Sequence, residues 1–159
     1  MTIKILLVCL GNICRSPTAD GILQKLVADA GLSKRIEVDS AGTAGWHQGR
    51  AADPRTVAAA LKRGFDLSAL RARQVLKSDF NDFDYILAMD SNNLQDLKEI
   101  MLPDFKGHLG LFLEFGSQKQ YTEVPDPYHG GSDGFELVLD LVEDAAKGLL
   151  QHIRDKHKL

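Results

Sequence analysis

The chain has 159 residues, 44% hydrophobic and 26% charged, with a formal net charge of −3, which suits one soluble globular domain large enough to bury a core. It lacks the basic excess that marks nucleic-acid-binding domains, it has no apolar run long enough to cross a membrane, and its N-terminal MTIKILLVC is too short and too weakly flanked for a signal peptide. Two cysteines form no disulfide framework and no Cys/His set has zinc spacing, so the expectation is a cytoplasmic protein with no metal or cofactor.

In chain order, IKILLVC is β-rich and apolar at nearly every position, as in a strand covered on both faces of a parallel sheet. A short loop follows, and SPTADGILQKLVADAG then reads as a helix. Ser16 is its expected N-cap and Pro17 its first residue; Ile22, Leu23, Leu26, Val27 and Ala30 recur at helical spacing, and Gly31 terminates it. RIEVDSAGT predicts a second strand, and DPRTVAAALKRG a helix capped by Asp53 with Pro54 at its first position. FDYILAMD predicts a third strand, SNNLQDLKEIM a helix leaving its end, and HLGLFLEFG a fourth strand. The loop YTEVPDPYHGGSDG precedes a last helix over roughly residues 135–155. There is no internal repeat, low-complexity tract or linker. Alternating strands and helices argue for one α/β domain over 1–159: an open, doubly wound parallel sheet with helices on both faces. Ligands bind such sheets at the carboxyl ends of the strands, which is where Cys9 lies.

The string VCLGNICRSP at that point has the parts of a phosphate cradle. A loop between strand and helix aims backbone N–H groups and the positive end of a helix dipole at one point. Gly11 and Asn12 tolerate the backbone conformations such a loop requires. Arg15 offers a planar fork that matches an oxyanion, and the field that favours phosphate also favours a thiolate. Ser16 can donate its hydroxyl proton to the sulfur. A cysteine ending an apolar strand is, alone, only a small buried hydrophobe; the whole string in this context says more. A Walker loop would need Gly-Lys-Ser/Thr, and a dinucleotide loop would need G-x-G-x-x-G; neither is present. Phosphoryl transfer to a thiolate also calls for a proton donor to the leaving oxygen. Asp126 in EVPDPYHGG is the candidate, held between Pro125 and Pro127. Alone, it reads as an ordinary turn aspartate.

Taken with VCLGNICRSPTAD, DSAGTAGWHQG, DPR, RARQV, FDYILAMDSNNLQDL and DPYHGG, nearly the whole chain resembles the low molecular weight protein tyrosine phosphatases. The resemblance implies a four-stranded parallel sheet and metal-free hydrolysis of phosphotyrosine through a cysteinyl-phosphate intermediate. It implies Cys9 as nucleophile, Arg15 as phosphate and transition-state ligand, and Asp126 as general acid and then base. The phosphate loop would comprise Cys9, Leu10, Gly11, Asn12, Ile13, Cys14, Arg15 and Ser16. Asn12, Ser16 and Ser40 would support it, and Trp46 and Tyr128 would form pocket walls. The implied partner is a phosphotyrosine-bearing protein, with a tyrosine kinase as a family-level association; neither nucleic acid nor membrane is expected. Cys9 and Cys14 form an expected redox pair, Cys14 protecting Cys9 as a disulfide.

Two departures stand out. Many members carry a histidine just before the RARQ-like stretch, bracing the loop through the asparagine; here Ala69 and Leu70 occupy that region, so the brace is absent or replaced. Some members have Asp-Pro-Tyr-Tyr; here His129 follows Tyr128, leaving Tyr128 as the one phosphorylatable tyrosine there. An arsenate reductase on the same scaffold would need cysteines beyond Cys14, and a non-catalytic phosphotyrosine-binding module would not need all three catalytic positions.

Overall fold

The first strand sets the architecture. β1 (Ile3–Cys9) is buried everywhere but at Lys4, and a strand so covered needs neighbours on both edges and both faces. The computed structural model, which describes residues 2–127 and 132–159, supplies them. β1 pairs in parallel with β2 (Ile36–Gly42) on one side and with β3 (Tyr85–Ala88) on the other, and β3 pairs in parallel with β4 (His108–Leu111). The strand order is β2-β1-β3-β4. The chain leaves β1 first toward one edge and later toward the other, so the end of β1 lies at the topological switch point. The expected doubly wound four-stranded parallel sheet is what is observed.

Five α-helices are described: α1 (Arg15–Asp29), α2 (Pro54–Lys62), α3 (Asp79–Asp82), α4 (Ser91–Ile100) and α5 (Ser132–His157). Alternation along β1 divides the core. Ile5, Leu7 and Cys9 pack with Ile22 and Leu23 of α1 and Val142 and Leu149 of α5. Leu6 and Val8 face the other layer, with Phe80, Ile86 and Leu97. No helix among the described residues is long and apolar enough to cross a membrane.

Local differences from expectation have physical reasons. α1 begins at Arg15 with Cys14 at the N-cap, so Ser16 is not the cap and Pro17 is the third helical residue rather than the first. The Ser16 hydroxyl is engaged inside the loop instead, and a proline in the first turn gives up an N–H that has no intrahelical partner anyway. Asp53 caps α2 as expected, accepting from Arg55 N–H, and Asp90 caps α4, accepting from Asn93 N–H. The fourth strand stops at Leu111 because Phe112–Phe115 winds into a 3₁₀ turn. The single-turn α3 carries no periodicity long enough to be seen in the sequence.

Gly42, at the end of β2, is where the sheet meets the loop. A Cβ there would lie 2.7 Å from the Leu10 carbonyl oxygen and 3.2 Å from the Asn12 nitrogen. The Gly42 N–H also donates to the Arg73 carbonyl at 2.8 Å, and its carbonyl accepts from Val75 N–H at 2.8 Å. Gly42→Ala therefore pushes backbone against backbone. It is expected to cost about 1–3 kcal/mol of stability and to weaken binding of inorganic phosphate, as read from denaturant midpoints and a phosphate titration; an unchanged pair of values would show that the loop yields freely at this point.

Candidate active site

The loop that closes round the end of β1 depends on Asn12, which adopts φ 58°. A left-handed non-glycine residue costs roughly 1–2 kcal/mol, and its side chain supplies the compensation. Asn12 Nδ2 donates to Ser16 Oγ at 2.7 Å and to Ser40 Oγ at 3.0 Å. Its Oδ1 accepts the Arg73 backbone N–H at 3.0 Å. Through that last bond the backbone of the segment after Leu70 holds the Asn12 amide. Asn12, Ser16 and Ser40 thus lie together behind the loop, all buried.

In front of them is the Cys9 sulfur. It lies 3.0 Å from Ser16 Oγ and accepts the Asn12 backbone N–H at 3.3 Å. No side chain caps α1, so its first-turn N–H groups remain available to a bound anion. Arg15, only 4% exposed, donates through Nη1 to Asp90 Oδ2 at 2.6 Å and to the Val124 carbonyl at 3.1 Å, and its Nη2 is 3.9 Å from Asp126 Oδ2. Burial works against the guanidinium charge, but Cys9, Asp90 and Asp126 outweigh it and hold Arg15 above its usual value. Val124 N–H in turn donates to the Met89 carbonyl at 2.8 Å. The segment carrying Asp126 is thereby tied both to the end of β3 and to Arg15.

Cys9, Arg15 and Asp126 share one cavity of about 230 Å³. Leu10, Gly11, Ile13 and Cys14 line it along the loop, with Cys9 and Arg15; Trp46 and Asp126 line its sides. Trp46 is 72% exposed, as suits a wall at the mouth and not a core residue. Its placement follows from the loop: Thr43 and Ala44 N–H donate to the Cys9 and Leu10 carbonyls at 2.9 and 3.0 Å. Tyr128 lies outside the described residues, as does His129. Cys14 is buried, and burial pushes its thiol up to about 11, with the charges of Asp53, Cys9 and Asp126 adding to the rise and the polar side chain of Thr56 opposing it. Both cysteines are free. Among the described residues no group of three or more His, Cys, Asp or Glu could hold a metal ion.

Four participants escaped the sequence reading. In the sequence Asp90 is only the end of a predicted strand, with no signal that it holds Arg15. His47 lines the cavity next to Trp46, its ring 3.0 Å from where a Cβ on Gly11 would be. Arg73 acts through its backbone N–H, which no side-chain pattern reveals. Asp20 lies one helical turn beyond Ser16 and accepts from Ser40 Oγ at 2.9 Å and Gln24 Nε2 at 2.6 Å.

Asp20 has a consequence for stability. Burial pushes its carboxyl from 3.8 up to about 6, the charge of Asp39 adding to the rise and the bonds from Gln24 and Ser40 opposing it. The folded state thus prefers the protonated acid. That contribution is fully present below 3.8 and is lost as pH rises through about 6. Asp20→Asn is expected to melt higher than the parent at neutral pH, by an amount on the order of 3 kcal/mol at most, with the gap closing on acidification. Melting curves across pH check this; a gap independent of pH would refute it.

Comparison with known proteins agrees with this geometry. A family model described as low molecular weight phosphotyrosine protein phosphatase matches residues 4–159. The low molecular weight protein-tyrosine-phosphatase of Streptomyces coelicolor is 42% identical over 159 residues, spanning 98% of this chain and 96% of the relative. A crystal structure of a protein tyrosine phosphatase from Entamoeba histolytica, with Hepes in the active site, superposes with a TM-score of 0.93 at 39% identity and covers 99% of this chain and 100% of that one. The structure of a drosophila arginine phosphatase gives a TM-score of 0.90 at 32% identity, covering 96% of this chain and 98% of that one. The chain therefore belongs to the low molecular weight phosphotyrosine protein phosphatase family, and it is an enzyme of that family.

Proposed function

We propose that this enzyme, acting as one domain over residues 1–159, hydrolyses phosphotyrosine in proteins, and aryl phosphates generally, through a phosphorylated Cys9. The observation that carries the proposal is the convergence of the Cys9 sulfur, the buried Arg15 guanidinium and the Asp126 carboxyl on one cavity. The substrate phosphate sits in the loop against backbone N–H groups and Arg15, whose tether to Asp90 fixes the plane of the fork. The Cys9 thiolate attacks phosphorus: an S–P bond forms, the P–O bond to the aryl group breaks, and the departing oxygen takes the proton of Asp126. The resulting Asp126 carboxylate then takes a proton from water as that water attacks phosphorus. The P–S bond breaks, releasing phosphate and a thiolate that Ser16 O–H and Asn12 N–H solvate. Trp46 and Leu10, both exposed at the mouth, give a phenyl ring an apolar support that a small alkyl phosphate does not reach. The substrate is a phosphotyrosine protein, with a tyrosine kinase within that class, and two free thiols suit the cytoplasm.

Asp126→Asn should slow aryl phosphates with basic leaving groups by about 10²–10⁴-fold and those with acidic leaving groups far less. Cys9→Ser should lose turnover while still binding phosphate. Equal losses across the series would demote Asp126, and an active Cys9→Ser would sink the mechanism. Phosphoarginine belongs in the same assay, because one of the structural neighbours is an arginine phosphatase; a higher kcat/KM on phosphoarginine than on phosphotyrosine would overturn the substrate assignment.

The redox pair has its own expectation. Peroxide converts the Cys9 thiolate to a sulfenic acid; attack by the Cys14 sulfur forms the disulfide and releases water, and dithiothreitol reverses it. With the Cys14 thiol raised to about 11, closure should accelerate as pH rises above neutral. Cys14→Ser should be active yet recover poorly after peroxide. Full recovery, or a closure rate flat in pH, would remove Cys14 from this role.

A further inference from the structure

The proposed chemistry makes no use of Asp20, a buried carboxylate with no ion-pair partner among the described residues. It does stand at one end of a continuous hydrogen-bond chain. Ser40 Oγ donates to Asp20 Oδ2 at 2.9 Å, Asn12 Nδ2 donates to Ser40 Oγ at 3.0 Å and to Ser16 Oγ at 2.7 Å, and Ser16 Oγ is 3.0 Å from the Cys9 sulfur. Its four supporting side chains are all at most 5% exposed, so water does not compete along it.

The direction of the chain follows from counting protons. An ionised carboxylate accepts only, and a serine hydroxyl has one hydrogen. Ser40 must spend that hydrogen on Asp20, so toward Asn12 it is an acceptor. The Asn12 amide therefore presents its NH₂ to Ser40, an orientation reinforced by the Arg73 N–H on its Oδ1 at 3.0 Å. The second hydrogen of that NH₂ goes to Ser16, whose own hydrogen is left for Cys9; its other acceptor, the Ala41 carbonyl, is more distant at 3.5 Å. Between the two ends every group is neutral and can be polarised by the charge at Asp20.

We infer that Asp20 is a positioning residue for the phosphatase reaction, acting through Ser40, Asn12 and Ser16 to aim the last hydroxyl proton at the Cys9 sulfur. The inference rests on the reading of Cys9 as nucleophile. A purely structural role explains Asp20 poorly. Gln24 and Ser40 are its only side-chain hydrogen-bond partners among the described residues, the like-signed charge of Asp39, itself bound to Arg73, acts against its ionisation, and burial disfavours its charge.

The test uses the full-length enzyme and its Asp20→Asn, Ser40→Ala and double variants. It measures the alkylation rate of Cys9 by iodoacetamide at fixed neutral pH, kcat and KM on an aryl phosphate, and melting temperature. Asp20→Asn should slow alkylation and lower kcat by about three- to tenfold, the fold-change of one hydrogen bond of ordinary net strength, with KM nearly unchanged and with no loss of melting temperature. Ser40→Ala should slow alkylation as well, and the double variant should be no slower than Ser40→Ala. Parent-like alkylation in Asp20→Asn, or effects that multiply in the double variant, would overturn the inference. If alkylating Cys9 leaves turnover intact, the nucleophile assignment fails instead, and the alkylation rates still judge the relay.

Discussion

A loop that turns its N–H groups inward to receive an anion has no partners of its own for them, so its shape must be imposed from outside. Here that task falls on Asn12. Its left-handed backbone is held by an amide bonded to α1 through Ser16, to β2 through Ser40 and to the segment after Leu70 through Arg73 N–H. Three separate stretches of chain must be in place before the loop has its form. The parallel sheet brings β2 beside β1, and Gly42 lets the two backbones approach closely enough.

The second support is Arg15. A buried guanidinium is costly without partners, and this one finds a carboxylate at the N-cap of α4 and a carbonyl at Val124. The same contacts that make its burial tolerable deliver Asp126 to within 3.9 Å of its other nitrogen. One side chain thus couples the loop, the end of β3 and the segment bearing the proposed acid. Leu10 and Trp46 line the mouth of the same cavity and stay exposed, where the proposed aryl substrate would meet them.

Much of this was legible in the chain alone. β1 is marked by a run apolar at all but Lys4, and α2 by its aspartate cap and following proline. The loop motif is visible because Cys9, Gly11, Asn12, Arg15 and Ser16 lie within one short stretch. The helix start was misplaced because Ser16 resembles a cap in sequence, whereas its hydroxyl finds stronger employment between Asn12 and Cys9. β4 was overextended because HLGLFLEFG stays apolar past the point where the backbone winds into a 3₁₀ turn.

What the sequence by itself determined is whatever depends on neighbours along the chain: strand and helix periodicity, caps, and a phosphate loop contained in eight consecutive residues. What only the tertiary structure decided is whatever depends on atoms brought together across the sheet. Arg73 N–H holds the Asn12 amide from 61 residues away, Asp90 anchors Arg15 from 75 residues away, and Asp20 backs Ser40 from 20. The reason is physical. A local motif carries its conformational preferences in its own covalent neighbourhood, while the direction of a buried hydrogen bond is settled only when every donor and acceptor around it has been enclosed and must find a partner.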